Sequence, residues 1–272
     1  MRELLHETAD LAADFLESLA DRPVFPDVEV DELRTRLGGP VPDDPTDARE
    51  VVAELAAAGN EAAVAIPGPR YFGFVIGGAV PAALAADWLT STWDQNAGLY
   101  VAGPAAAVVE EIAGFWIADL LRLPRVQSFA FVTGTQMAHA TAMAAARNHV
   151  LAEVGWDVEE QGLVGAPPIR VFAGEKAHST FPRALRFVGL GLRSVERIPA
   201  DEQGRMRPDA LREAVSRHDG PSIVCAKAGE VNTGSVDDLA AIADAAEEAG
   251  AWLHVDGAFG LWAAASAVTW AI

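Results

Sequence analysis

The stretch Ala251-Trp252-Leu253-His254-Val255-Asp256-Gly257-Ala258 decides the fold, because an apolar run ends there in a carboxylate that glycine and alanine follow. Residues 251–255 are typical of a short buried β-strand. His254 and Asp256 are two positions apart, so their side chains leave the same face of that strand. Ligands of open parallel sheets bind beyond the carboxyl ends of the strands. The sequence therefore predicts a functional site around Asp256.

Short β-rich runs alternate with helical stretches over the second half of the chain, and this predicts an α/β domain with a mostly parallel sheet. The earlier part instead shows the spacing of amphipathic helices, joined by a connection rich in proline and glycine. The predicted strands are 128–132, 169–172, 194–198, 222–226 and 251–255, and the predicted helices are 3–20, 31–37, 47–58, 135–151 and 236–249.

Composition narrows the classes of partner. The 272-residue chain is 51% hydrophobic and carries a formal net charge of -19, which disfavours nucleic acid and anionic membrane surfaces and favours a small molecule or a protein. Cys225 is the single cysteine, so no intramolecular disulfide is expected, and no spacing typical of a metal site occurs. The acidic N-terminus lacks the features of a signal peptide. These features predict a soluble, cytoplasmic protein.

Polar segments follow several of the predicted strands. Thr133-Gly134-Thr135-Gln136 either binds a phosphate at a helix start or caps that helix through Thr133 or Thr135. His178, after the second strand, is suited to stack on a planar ligand or to move a proton, and also to a capping or surface role. Ser235, after the fourth strand, is placed to cap the next helix.

Three interpretations of the pair His254 and Asp256 remain open: a metal-binding pair, a structural acid satisfied by a helix N-terminus, or an anion that pairs with a cationic ligand. A metal site needs further ligands, and the other histidines lack suitable spacing. A cofactor with a phosphate at one end and a protonatable ring nitrogen at the other would use both Asp256 and the segment 133–136.

Several short segments of the chain resemble those of the pyridoxal-phosphate-dependent amino acid decarboxylases, the group that includes glutamate and aromatic amino acid decarboxylases. The similarity extends from about Pro67 to Ser266 and depends on the order and the intervals of several short motifs rather than on any one of them. The motifs are Pro69-Arg70-Tyr71-Phe72-Gly73-Phe74, the segment 81–89, Ala177-His178-Ser179, Asn232-Thr233-Gly234 and His254-Val255-Asp256-Gly257-Ala258.

The resemblance implies a fold-type-I architecture. Residues 1–66 would form a helical N-terminal segment that helps to build a homodimer, and residues 67–272 would form the α/β domain that holds pyridoxal 5'-phosphate. The implied reaction is removal of carbon dioxide from an L-amino acid. Other fold-type-I reactions stay open, such as those of carbon–carbon lyases, desulfurases or aminotransferases, and so does a non-catalytic fragment that binds the cofactor or dimerises. A dehydrogenase is disfavoured because no GxGxxG follows the first strand.

The resemblance also assigns roles to individual residues. Asp256 would pair with the pyridine nitrogen and keep the ring protonated, so that the ring accepts electrons from the reacting carbon. His178 would stack on one face of the ring, and Ala258 would pack on the other face. Thr135 and Gln136 would contact the phosphate.

Two of the chain's departures from the family pattern bear directly on the cofactor. The phosphate segment is Gly134-Thr135-Gln136-Met137-Ala138-His139, where the family usually has Gly-Gly-Ser-Glu-Ala-Asn or a similar run. The family's Schiff-base lysine follows a histidine some tens of residues beyond the strand-ending aspartate. The chain has only two lysines, Lys176 and Lys227, and both lie before Asp256. Because such a site normally needs that lysine, we expect this chain by itself to be catalytically impaired.

The end of the chain shapes a further expectation. Residues 267–272 are apolar and resemble no part of the family, as a premature stop or a change of reading frame in a longer gene would produce. Two further strands of the family sheet would lie between the first and the fifth predicted strands. Without them, strand edges and apolar surface would be exposed beside 128–132 and 251–255, which favours aggregation.

Overall fold

A computed structural model describes residues 1–123 and 128–266 of the chain. The apolar end, 267–272, lies outside the described residues. The fold divides into two compact units, Met1–Asp94 and the residues from Gln95 on. The predicted domain boundary between residues 66 and 67 falls inside the first unit, and it stays a prediction.

The first unit is helical. The three helices expected near 3–20, 31–37 and 47–58 are confirmed, with ends shifted by a few residues. Asp47 caps the third of them by accepting a hydrogen bond from the Arg49 N–H at 2.9 Å. A fourth helix begins at a proline, which suits the first helical turn. The helices are α1 (Arg2–Ser18), α2 (Val30–Leu37), α3 (Ala48–Ala62) and α4 (Pro81–Trp93).

The second unit is an α/β fold around a sheet of four parallel strands in the order β2-β1-β3-β4. The expected fold class is therefore confirmed. The strands are β1 (Arg170–Gly174), β2 (Val195–Ile198), β3 (Ser222–Lys227) and β4 (Trp252–Asp256). The helices are α5 (Pro104–Leu120), α6 (Gly134–Ala152), α7 (Val158–Gln161), α8 (Thr180–Phe187), α9 (Pro208–Ser216) and α10 (Leu239–Glu248).

Helices cover both faces of the sheet, as parallel strands require. On one face, α6 and α8 pack against alternate residues of β1 and β3; on the other face, α9 and α10 pack against the residues between them. The hydrophobic cluster on the α6 and α8 face includes Met143, Leu151, Phe181, Leu185, Val171 and Ile223. The hydrophobic cluster on the α9 and α10 face includes Leu211, Ile242, Phe172 and Val224. This double burial fixes the strand ends, and so it positions the site.

The expected strand at 128–132 is wrong: these residues form no strand in the structure. Strands are stable only when neighbours satisfy their backbone groups, and no described strand pairs with this segment. The Phe129 ring instead covers Gly114 of α5, where an added Cβ would lie 2.2 Å from the ring, and it meets the Phe115 ring edge-on at 5.8 Å. Phe131 stays half exposed.

Candidate active site

The carboxyl ends of β1, β3 and β4 meet at a small pocket. His178 and Asp256, which the sequence places far apart, both line it. The lining also contains Gly174, Ala177, Phe181, Cys225, Ala226, Lys227 and Asp237. Because these strands are parallel, their ends lie along one edge of the sheet, and residues from distant parts of the chain converge there.

Asp256 ends β4 with its side chain 17% exposed. Its Oδ1 accepts a hydrogen bond from the Ala258 N–H at 3.2 Å, and its Oδ2 lies 3.3 Å from His139 Nε2. Burial by itself raises the pKa of this carboxyl, but the contacts with His139 and the Ala258 N–H, together with the nearby His254, outweigh it and lower the pKa below its usual value. Asp256 is therefore an anion at neutral pH.

Asp256 has no strongly cationic partner among the described residues. Lys227 is beside it in the register of β3 and β4, yet the Lys227 ammonium turns to Asp237 at 3.2 Å. Two further contacts hold that ammonium, with the Gly204 carbonyl at 2.9 Å and the Ser235 hydroxyl at 3.3 Å. The expected role of Ser235 as a helix cap is wrong, since Asp238 caps α10 instead.

His139 belongs to the site, although the sequence analysis gave it no role. Its side chain is 2% exposed, and its Nδ1 is 3.0 Å from Nε2 of His254. The sequence did contain a signal for His139: it follows Thr135 by four residues, and positions i and i+4 share one face of a helix. Phe181 encloses the two histidines, stacked on the His254 ring at 6.0 Å and edge-on to the His139 ring at 5.7 Å.

His254 is partly buried in this group, and its Nε2 is engaged by His139 rather than free to bind a ligand. Desolvation, together with the nearby His139, lowers the pKa of His254 to about 4 against the opposing effect of Asp256. The imidazole is therefore neutral at physiological pH. No group of three or more metal-ligating side chains occurs among the residues that the structure describes.

The start of α6 is open. Thr133 precedes the helix but makes no side-chain capping bond, and Thr135 is exposed in the first turn. The Gln136 amide donates to the Thr180 carbonyl at 3.2 Å, which ties this turn to the start of α8. The first backbone N–H groups of a helix carry partial positive charge and lack partners within the helix. This helix start offers the chemistry that an anion such as phosphate requires.

His178 lies just before α8 and is exposed. Its Nδ1 accepts hydrogen bonds from the Thr180 hydroxyl at 2.8 Å and from the Thr180 N–H at 3.3 Å. These contacts fix the proton of the neutral ring on Nε2. Ala258, on the turn after β4, is also exposed. The predicted contacts of both residues with a ring stay predictions.

Comparison with known proteins identifies the family. Residues 35–265 match the model of the "Pyridoxal-dependent decarboxylase conserved domain". The chain belongs to the pyridoxal-dependent decarboxylase family. Over 95% or more of its length it is similar to an aromatic-L-amino-acid decarboxylase of Bacillus atrophaeus (28% identical) and to tryptophan decarboxylase 1 of Oryza sativa (29% identical). It spans 53% of each of them, about half the length of these curated relatives.

Solved structures of pyridoxal-dependent decarboxylases share this fold. Oryza sativa TDC with PLP superposes with a TM-score of 0.89 at 26% identity, covering 98% of this chain and 59% of that one. Mouse CSAD gives a TM-score of 0.87 at 26% identity, covering 98% of this chain and 56% of that one. Within residues 1–123 and 128–266, no helix is both long and apolar enough to cross a bilayer.

The residues at the sheet edge fit the family's cofactor, pyridoxal 5'-phosphate. That molecule carries a basic ring nitrogen and a phosphate. The ionised Asp256 suits the first group, and the uncapped start of α6 suits the second.

Proposed function

We propose that the chain supplies the cofactor-binding part of a pyridoxal-phosphate-dependent carboxy-lyase that acts on an L-amino acid. One observation carries the proposal: Asp256 is partly buried and anionic, and among the described residues it has no lysine or arginine partner. A charge removed from water normally requires an opposite charge. A protonated pyridine ring supplies one.

Bound pyridoxal phosphate supplies an electron sink for the carbanion that forms when carbon dioxide leaves. Asp256 acts by holding a proton on the ring nitrogen, because an adjacent carboxylate favours the charged form of that nitrogen. The Ala258 N–H orients the carboxylate through Oδ1. The peptide N–H groups of the first turn of α6, with Thr135 and Gln136, would bind the phosphate.

His178 and Ala258 are proposed to enclose the ring from its two faces. The hydrogen bond from the Thr180 hydroxyl to His178 Nδ1 fixes the orientation of the imidazole, so that the imidazole would stack on the cofactor ring in one orientation. A small residue such as Ala258 lets a flat ring approach closely. Enclosure from both faces also excludes water, which strengthens the attraction between Asp256 and the ring.

Neither lysine of the chain is placed as a Schiff-base donor. Lys176 is exposed on the turn after β1, and the Lys227 ammonium is held by Asp237. Freeing Lys227 would leave a buried carboxylate uncompensated. We therefore propose that residues 1–272 bind the cofactor without a covalent link and that turnover by these residues alone is impaired. Borohydride reduction with pyridoxal phosphate, followed by peptide mass mapping, tests this; a modified Lys227 would refute it.

The relatives guide the choice of substrate and partner. They are named aromatic-L-amino-acid and tryptophan decarboxylases, so an aromatic L-amino acid is the proposed substrate class for the whole protein. A homodimer and a cytoplasmic location are proposed with it. Because the Lys227 ammonium is already paired with Asp237, a second candidate function is favoured: a fragment that binds the cofactor or dimerises without catalysis. Product analysis separates the two, because only the first releases carbon dioxide.

Cofactor binding is the direct test of the site. We expect Asp256→Asn to weaken the binding of pyridoxal phosphate by about 30-fold or more, because removing one member of a buried charge pair costs about 2 kcal/mol or more. The control is Asp244→Asn, which changes an exposed acid on α10. Equilibrium dialysis gives both affinities. Equal binding by the wild type and Asp256→Asn would remove the basis of the proposal.

A further inference from the structure

The carboxylate of Asp256 is contacted on one side by the buried His139, which in turn meets the partly buried His254. His139 projects from α6, one turn beyond the proposed phosphate-binding end, and reaches β4. Its two ring nitrogens face two different groups, His254 Nε2 at 3.0 Å and Asp256 Oδ2 at 3.3 Å. The three side chains therefore form a continuous series from His254 through His139 to Asp256.

Electrostatics select one arrangement of protons in this series. A bare Nε2 on His139 would place its lone pair against an anionic oxygen, so the proton of the neutral ring belongs on Nε2. Nδ1 of His139 then accepts, and His254 must donate through its own Nε2–H. The His254 N–H is thereby directed at His139 Nδ1, and the His139 Nε2–H lies on the side of the carboxylate.

His139 Nε2 is also buried without an aligned hydrogen bond. The contact with Asp256 is within the range of an ion pair, but the N–H does not point squarely at Oδ2. A buried polar atom left in this state costs free energy. A small shift of the Asp256 side chain toward α6 would complete a hydrogen bond with His139 Nε2. Forming that hydrogen bond favours one orientation of the carboxylate.

We infer that His139 is a positioning residue for the ring-nitrogen site: it orients Asp256 and keeps it available as an acceptor for a protonated pyridine nitrogen. The inference rests on the proposed function. Oδ1 and Oδ2 each retain a lone pair beyond the Ala258 and His139 contacts, so the carboxylate has room for a further donor. His254 supports the orientation of His139 and does not touch the ligand.

Two substitutions separate the two nitrogens of His139. In His139→Gln the side-chain amide can approach the place of Nε2 and still donate to Asp256. In His139→Asn the shorter amide is confined to the place of Nδ1, which keeps the contact with His254 and loses the one with Asp256. The matched control is His149→Gln, which changes an exposed histidine on the same helix.

The affinity test uses two ligands: pyridoxal phosphate, and its analogue with the ring nitrogen replaced by carbon. For pyridoxal phosphate we expect His139→Asn to bind about 10-fold more weakly, consistent with the loss of one polar contact that orients a charged group. His139→Gln should largely restore binding, and His149→Gln should match the wild type. The analogue should bind all four proteins equally, because it presents nothing for Asp256 to hold.

A second measurement needs no ligand. Long-range ¹⁵N–¹H spectra report which nitrogen of a neutral histidine carries the proton. We expect His139 to be protonated at Nε2, and we expect Asp256→Asn to disturb this preference because the amide can donate as well as accept. A histidine that did not interact with Asp256 would not respond to the charge at position 256.

Each result has a distinct meaning. Unchanged pyridoxal phosphate binding in His139→Asn overturns the inference, and so does an equal loss of both ligands, which would show a general disturbance of the pocket. Protonation at Nδ1 of His139 overturns it as well. Failure of Asp256→Asn to weaken binding, together with the expected His139 proton position, refutes the proposed function instead, and the positioning role falls with it.

Discussion

Removal of Asp237 is expected to destabilise the second unit more than any other single change to a charged side chain near the site. The Asp237 side chain is 1% exposed, and that of Lys227 is 8% exposed. Oδ1 accepts from the Met206 N–H at 2.8 Å and from the Lys227 ammonium at 3.2 Å, and Oδ2 accepts from the Lys227 N–H at 2.9 Å. One carboxylate thus ties β3 to the segment before α9.

The magnitude follows from what each substitution leaves unpaired. Asp237→Ala leaves two backbone N–H groups without partners and an uncompensated ammonium, so we expect a loss of about 3–5 kcal/mol. Lys227→Met keeps a similar volume and leaves the carboxylate with both backbone donors, so we expect a smaller loss of about 1–3 kcal/mol. The double variant should lose less than the sum of the single losses, because no unpaired charge remains.

Urea unfolding followed by circular dichroism measures these differences. With a slope of about 2–3 kcal/mol per molar urea, a loss of 3 kcal/mol lowers the midpoint by about 1–1.5 M. Asp238→Ala is the control: the neighbouring acid is exposed and accepts only the Ala241 N–H, so its removal should cost about 1 kcal/mol. Equal effects at 237 and 238, or a larger loss for Lys227→Met than for Asp237→Ala, would refute this reasoning.

Three further outcomes are expected. The pKa of His254 is lowered from 6.5 to about 4, so between these pH values the unfolded chain binds a proton that the folded chain does not. As pH falls from 6.5 to 4, the free energy of unfolding should therefore drop by up to about 3 kcal/mol. The His254 Cε1–H NMR resonance of the folded chain should not titrate above about pH 5.5. Gly260→Ala should lower the free energy of unfolding in urea by about 1–3 kcal/mol, because the new Cβ would lie 2.2 Å from the Ala228 carbonyl oxygen. The control is Gly59→Ala, which has open space around it and should stabilise α3 slightly. Burial raises the pKa of the Cys225 thiol well above its usual value, so Ellman's reagent should react with it only after unfolding; rapid reaction of the native chain would contradict its burial.

The sequence by itself determined the parallel α/β unit and the positions of four of its strands to within two residues. Four of the five predicted strands form, because each is a β-rich run whose neighbours along the chain are helices that cover the sheet. The position of Asp256 at a strand end followed from the same local pattern. The family's short motifs, recognisable in the sequence, led to the cofactor.

Only the tertiary structure decided the environment of each polar group. Whether 128–132 pairs as a strand depends on a neighbouring strand, not on its own residues, and Phe129 packs on α5 instead. The contact of His139 with Asp256 joins residues more than a hundred positions apart. Likewise, Lys227 is beside Asp256 in the sheet, yet its ammonium pairs with Asp237. Local patterns specify strands and helices, whereas the partner of a buried charge depends on which elements the packed fold brings together.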